Sequence, residues 1–442
     1  MVLFRSFFSV CAPLVSADAY EGEGDSTVSD GGDTSFSSTY DFGVDDSGSQ
    51  YDDWRYWKKS GTCEWRIKDD CLCIRPIGGV GEGELGFSGT NAPWSGCYIE
   101  SIYVEEGVKA TNGFMFYGLS DLKQADLKNL DVSETTSFTL MFYNCRSLVS
   151  LDLSGWDTSQ VEKIDRMFMG CVSLSSVDLS GWEVSNVRDA SSMFNNCSSL
   201  ITIKLDQWRP SNLRNANGMF SWCSMLESID LSKWDTPFLK DVGAMFSGCE
   251  SLKSIGLPTQ SAPSLTSMHY LFYDCRSLAS VDLSNLKTSS VEDMRSVFEE
   301  CGELASLDLS GWDTSSVTNM SRIFYGCTSL GELNLSGWDT TSVKDFSSAF
   351  FMCSSLTEIE VGEKTQIDFR EIPLNSNYSG LWYSSDSLET YRPGEISYGV
   401  ATTYIAQKDI SGNMHWDASQ PDVLCTRWIA IDLSDGVIPA RL

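Results

Sequence analysis

Three residue series in this chain carry groups capable of chemistry, and all three recur at one interval. Cysteine stands at Cys145, Cys171, Cys197, Cys223, Cys249, Cys275, Cys301, Cys327 and Cys353, always 26 residues apart. Tryptophan follows the same interval at Trp156, Trp182, Trp208 and Trp234, then at Trp312 and Trp338, with Gln260 and Leu286 at the two positions between. The third series is acidic and reads Asp126, Asp152, Asp178, Lys204, Asp230, Gly256, Asp282, Asp308, Asn334 and Glu360. Stacked carboxylates attract cationic groups or divalent ions, and a carboxylate pair roughly 5 Å apart is glycosidase geometry. Exposed indoles stack on sugar rings or anchor a protein partner. Thiolates ligate metals or form disulfides.

Each series also has a plain structural reading. The acidic positions are candidates for a binding face, and equally for a hydrated sheet surface. Lys204 relieves repulsion locally between Asp178 and Asp230. Leucine replaces tryptophan at Leu130 and Leu286, which fits rings that fill a corner. Parallel cysteine side chains on stacked coils run alongside one another and do not meet, so buried, reduced thiols are expected. Outside the series, Cys63, Cys71, Cys73 and Cys97 suggest one or two disulfides, with free thiols or a zinc site as alternatives.

Composition narrows the function. A formal net charge of −30 and a pI near 4.3 repel nucleic acid and anionic lipid, which are bound by basic surfaces. Weak binding of divalent cations fits such a field. His269 and His415 are the only histidines, so the commonest general base and metal ligand is scarce. No phosphate-binding loop, zinc-protease helix motif or nucleophile-elbow motif is present. We expect no enzyme, no catalytic residue, no resident metal and no cofactor. No apolar run is long enough for a transmembrane helix.

Positioning these series requires a repeating element. In Cys301–Ser310, Leu304, Leu307 and Leu309 follow the L-x-x-L-x-L pattern of leucine-rich repeats. Leu307 and Leu309 face inward and Asp308 outward by strand alternation. Gly311-Trp312-Asp313-Thr314 turns the chain, with Thr314 or Ser315 placed to cap a helix. Val317, Met320, Ile323 and Phe324 are spaced for one face of a short helix. The expected fold is therefore an α/β leucine-rich-repeat solenoid of about ten coils, with parallel strands on one face and short helices on the other. Flanking segments divide as 1–19, a candidate signal segment; 20–53, an acidic linker without Lys or Arg; 54–114, a β-rich N-terminal cap; 115–363, the repeats; and 364–442, a C-terminal cap module.

The stretch Leu307–Leu330, with L-D-L-S-G-W-D-T-S and later I-F-x-x-C, resembles the 26-residue repeat of BspA-like leucine-rich-repeat surface proteins of bacteria. The resemblance runs from about Phe114 to Val361. Ser60–Trp65, Ile74–Pro76 and Ala92–Trp94 resemble the segment that introduces such repeats. It implies a secreted or surface-attached protein that binds protein or glycan ligands on host, matrix or other cells. A carbohydrate-binding protein using the tryptophan and aspartate series is the alternative, and a passive spacer is a third reading. No sorting signal of the L-P-x-T-G type and no clear lipobox around Cys11 accompanies it.

Overall fold

Short runs of alternating residues form short strands here because each needs a neighbouring coil to complete it. The computed structural model describes residues 56–87, 92–110, 112–205, 207–258 and 262–366, and the backbone of strands Tyr378–Ser384, Thr390–Tyr391 and Thr402–Lys408. The candidate signal segment and acidic linker lie outside the described residues.

The chain enters through a sheet of strands Lys58–Ser60, Cys63–Lys68 and Cys71–Pro76, paired antiparallel. Asp69 and Asp70 make the two-residue hairpin turn, both with positive φ (50° and 59°), the geometry whose twist matches the flanking strands. Ser101–Val104 and then Gln124–Asp126 add in parallel. From there the coils stack. Strands Ser150–Asp152 and Ser176–Asp178 pair in parallel, as do Ser228–Asp230 and Ser254–Gly256, and as do Ser306–Asp308, Glu332–Leu335 and Glu358–Val361. Every partner is offset by 26 residues, so equivalent positions fall side by side. After the last coil, Thr402–Lys408 pairs antiparallel with Glu358–Val361 and with Tyr378–Ser384, which covers the open edge of the final strand.

The architecture is a β-solenoid of about 11 turns. The expected helices are not there; among the described residues the one helical element is a three-residue 3-10 turn at Ile77–Gly79. The reason lies in where the backbone N–H groups go. In the coil read as helical, Met320, Arg322, Phe324 and Gly326 donate to Asp345, Ser347, Ala349 and Phe351 of the next coil, while Ile323, Tyr325 and Cys327 close three-residue turns on Met320, Arg322 and Phe324. An α-helix would need these same donors for its i−4 bonds. Two left-handed residues per coil enforce the turns, such as Arg322 (φ 57°) and Gly326 (φ 73°). The apolar side chains still all point inward: Val317, Met320, Ile323 and Phe324 are each 0% exposed. Thr314 caps nothing; its hydroxyl donates to the carbonyl of Asp339 one coil on (2.9 Å) and accepts that residue's N–H (2.9 Å).

A second ladder runs opposite the strands. Ser137, Lys163, Asp189, Asn215, Asp241, Ser267, Asp293, Asn319 and Asp345 form an unbroken series of parallel bridges. Strand pairing, by contrast, lapses at the coils carrying Lys204 and Asp282. Ring spacing follows the same trend. Successive core phenylalanines lie 5.4–5.8 Å apart, and successive tryptophans 6.2–6.5 Å apart. Outermost on the turn side, Tyr117 and Tyr143 are 4.9 Å apart and Tyr325 and Phe351 are 5.2 Å apart. The turn side is therefore the shorter edge of the array.

Candidate interaction surface

The acidic series sits on the strand face. Asp152, Asp178, Lys204, Asp230, Asp282, Asp308 and Glu360 are exposed, while Asp126 and Asn334 are half-buried. Cross-coil register places Asp152 opposite Asp178, and Asn334 between Asp308 and Glu360. Each carboxylate also works locally. One oxygen of Asp152, Asp178, Asp230, Asp282 and Asp308 accepts the N–H of the serine two residues on, at 2.9–3.0 Å. Asn334 does the same through its amide oxygen, at 3.0 Å. The aspartate thus ends the strand and starts the turn, a role that sequence reasoning missed. These bonds, from the serine backbone or hydroxyl, hold the carboxyls of Asp178, Asp230 and Asp282 below the usual range, and Lys204 adds to this at Asp178. Asp126 instead pairs with Lys128 at 3.2 Å.

Two further acidic series share the device. Asp157, Asp313 and Asp339 accept the N–H two residues on at 3.0–3.1 Å. Asp189, Asp241, Asp293 and Asp345 do so at 2.8–3.1 Å along the bridge ladder. Aspartate followed at i+2 by serine, threonine or glycine was the available signal. Much of the negative charge therefore marks the corners of the coil.

The tryptophans are inside. Trp156, Trp182, Trp208, Trp234, Trp312 and Trp338 are at most 6% exposed. Indole N–H groups of Trp156, Trp182, Trp208 and Trp338 donate to leucine carbonyls of the preceding coil at 3.0–3.5 Å. Those of Trp234 and Trp312 have no hydrogen-bond partner. Both stand beside the stretch where Gln260 and Leu286 replace tryptophan. In this arrangement no sugar ring reaches an indole of the series.

All nine repeat cysteines are buried free thiols. Each donates to the phenylalanine carbonyl of the preceding coil, from Cys145 to Phe116 through Cys353 to Phe324, at 3.0–3.2 Å. Burial pushes them up, to about 12 for Cys171, Cys223 and Cys353. Protonated and enclosed, they offer neither a nucleophile nor a metal ligand. Among the described residues no group of three or more His, Cys, Asp or Glu is placed to hold a metal.

The expected disulfides among Cys63, Cys71, Cys73 and Cys97 are absent: all four are free. Register explains Cys63. It pairs with Pro76, whereas Cys73 pairs with Arg66, three steps away and so roughly 10 Å along the strand, beyond disulfide reach. Cys71 and Cys73 share one face of a strand, with Cys73 Sγ donating to Cys71 Sγ at 3.9 Å. This bond lowers Cys71 to about 7 and raises Cys73. A small open recess lined by Glu84, Lys109, Ala110, Asp131 and Glu134 is polar, and its lysine is engaged by Glu82 at 2.9 Å.

The repeats match a sequence family described as "Mycoplasma protein of unknown function, DUF285", over residues 110–225, 176–279 and 266–363. These spans cover more than half of the chain. The chain belongs to this family. The matched region coincides with the 26-residue units that resemble BspA-like repeats. No curated protein matches. Among solved structures the chain is similar to a leucine rich cell surface protein from Faecalibacterium prausnitzii, at 16% identity, covering 69% of this chain and 94% of that one, with a TM-score of 0.27. It is also similar to a leucine-rich repeat protein from Eubacterium ventriosum, at 15% identity, covering 69% and 92%, with a TM-score of 0.31. A T. pallidum leucine rich repeat protein is similar at 17% identity, covering 67% and 88%, with a TM-score of 0.20. No helix among the described residues is long and apolar enough to cross a membrane.

Proposed function

We propose that this chain is a non-enzymatic interaction protein, secreted or displayed on a bacterial surface, whose repeat array adheres to a protein ligand on host, matrix or neighbouring cells. One observation carries the reading: the described repeats bring no catalytic constellation together but present the same exposed residue class, coil after coil, on one strand face. Affinity then comes from many weak contacts spread over several coils. The acidic strand face selects cationic partners and steers their approach. Weak divalent binding on the same face fits the charge. The division into caps and repeats belongs to this proposal: the caps seal the ends of the core and the coils do the binding.

The carboxylates have a folding role as well as a charge, so the two must be separated. Asn334 shows how, since asparagine keeps the bond to the i+2 N–H. Replacing Asp152, Asp178, Asp282 and Asp308 together by asparagine should leave the melting temperature nearly unchanged. It should weaken binding to an immobilised basic matrix protein by about tenfold or more and flatten its salt dependence. Binding unaltered by the fourfold substitution would remove the acidic face from the function.

A further inference from the structure

Each coil places a left-handed residue just before its cysteine, and glycine or asparagine usually fills it: Asn144, Gly170, Asn196, Gly248 and Gly326. Trp222 is there too, with φ 61°. A left-handed L-residue of this size is disfavoured by about 1–2 kcal/mol, and Trp222 recovers nothing by burial, being 45% exposed. Its ring is nonetheless held. It lies against Gly248 so closely that a Cβ on that glycine would stand 2.6 Å from indole Cε3 and 2.7 Å from Cδ2. One position presents a flat aromatic and the next coil leaves out a side chain to seat it. Strain retained at an exposed residue points to function.

The surroundings define the ligand. On this coil and the coils on either side, the outward turn positions carry no charge, in a chain of net charge −30. Asn195, Asn196, Asn217, Ser192, Ser221 and Ser247 supply amides and hydroxyls around the ring, with Asp241 and Glu250 at the edges of the patch. A protein hot spot sets its aromatic in a desolvated, well-packed pocket. Here a single planar apolar surface lies among neutral hydrogen-bonding groups, on the shorter edge of the array. That combination matches a ligand with one apolar face and a rim of hydroxyls. We propose that Trp222 is a platform for the ring of a neutral sugar within a glycan chain, with the neighbouring asparagines and serines serving its hydroxyls. This deepens the reading of the chain as an interaction protein and assigns it a second, uncharged surface opposite the acidic one.

The test titrates the full chain with cellohexaose, mannohexaose and chitohexaose, followed by calorimetry and tryptophan fluorescence. At least one should bind saturably, with an affinity unchanged between roughly 0.05 M and 0.5 M salt. Trp222→Asn should weaken that binding at least tenfold while leaving the melting temperature unchanged or raised, because asparagine suits the left-handed backbone. Trp222→Phe, which keeps a flat ring, should hold affinity within a few-fold. Failure of all three sugars, or full binding by Trp222→Asn, would overturn the proposal. So would loss of binding in both variants in step with a fall in melting temperature. Loss of a protein ligand in Trp222→Asn without any sugar binding would assign the platform to a polypeptide instead. The asparagine substitutions on the strand face leave this site untouched, so either proposal can fail alone.

Discussion

Every phenylalanine carbonyl in the thiol ladder has two lone pairs, and from Phe142 to Phe324 two donors meet each one. Phe142, for example, accepts the N–H of Cys145 within its own coil and the thiol of Cys171 from the next. Cysteine here is a small apolar filler that also satisfies a buried acceptor, which alanine would not do. The sequence interval showed that the thiols would be buried, but it could not show the donor role, because the acceptor is a backbone atom 29 residues away. Residue-mapped alkylation of the native chain at pH 8 should label exposed Cys97 quickly and leave Cys145 through Cys353 unlabelled until unfolding. Rapid labelling of the ladder would show the coils to be open. Linkage gives a sign as well. These thiols ionise near 9 when unfolded and only toward about 12 when folded. Their contribution is complete below about pH 9 and is lost as pH rises toward 12, so the melting temperature should fall across that window.

At the scale of the element, strands were legible and helices were misread. Leu307, Asp308 and Leu309 alternate in a way only a half-buried strand explains. The spacing of Val317, Met320, Ile323 and Phe324 fits one helical face, but it also fits a run of tight turns whose inward positions recur every three or four residues. The distinguishing mark was the residue before each cysteine. Asn144, Gly170, Asn196, Gly248, Asp274 and Gly326 favour left-handed backbone, which a helix interior does not admit. Disulfides among Cys63, Cys71 and Cys73 were misjudged because spacing in sequence does not reveal the offset between paired strands. The turn reading makes a specific prediction. Gly170 has φ 80°, and a Cβ there would stand 2.1 Å from the Asn144 amide oxygen. Gly170→Val should therefore destabilise the chain by about 2–4 kcal/mol, combining left-handed strain with a clash. Gly155→Ala, at a glycine with open space around it, should change it by less than about 0.5 kcal/mol. Comparable denaturant midpoints for the two variants would refute the left-handed corner as the element's organising feature.

At the scale of the molecule, the coil is the indivisible unit. Stacked phenylalanines, tryptophans and thiols each reach one coil back, so the core is continuous only while the register holds. The candidate binding series were legible for that reason: period alone fixed which residues would share a face. Period could not say which series faces outward for a partner and which for packing; the tryptophans went in, and Trp222, outside the series, came out. Removing residues 302–327, one whole coil, should give a chain that still melts cooperatively, with a circular-dichroism shape like the parent's. Removing one residue fewer should lose the cooperative transition, since it turns the inward positions of one strand outward. The unequal rise of the two edges has a consequence for growth. Because the tryptophan corner advances about 0.7 Å further per coil than the phenylalanine row, each duplicated unit both lengthens the rod and re-aims its tip. Gain or loss of repeats over generations would then alter where the far end points as well as how far it reaches, a means of exploring new contacts without changing a single side chain.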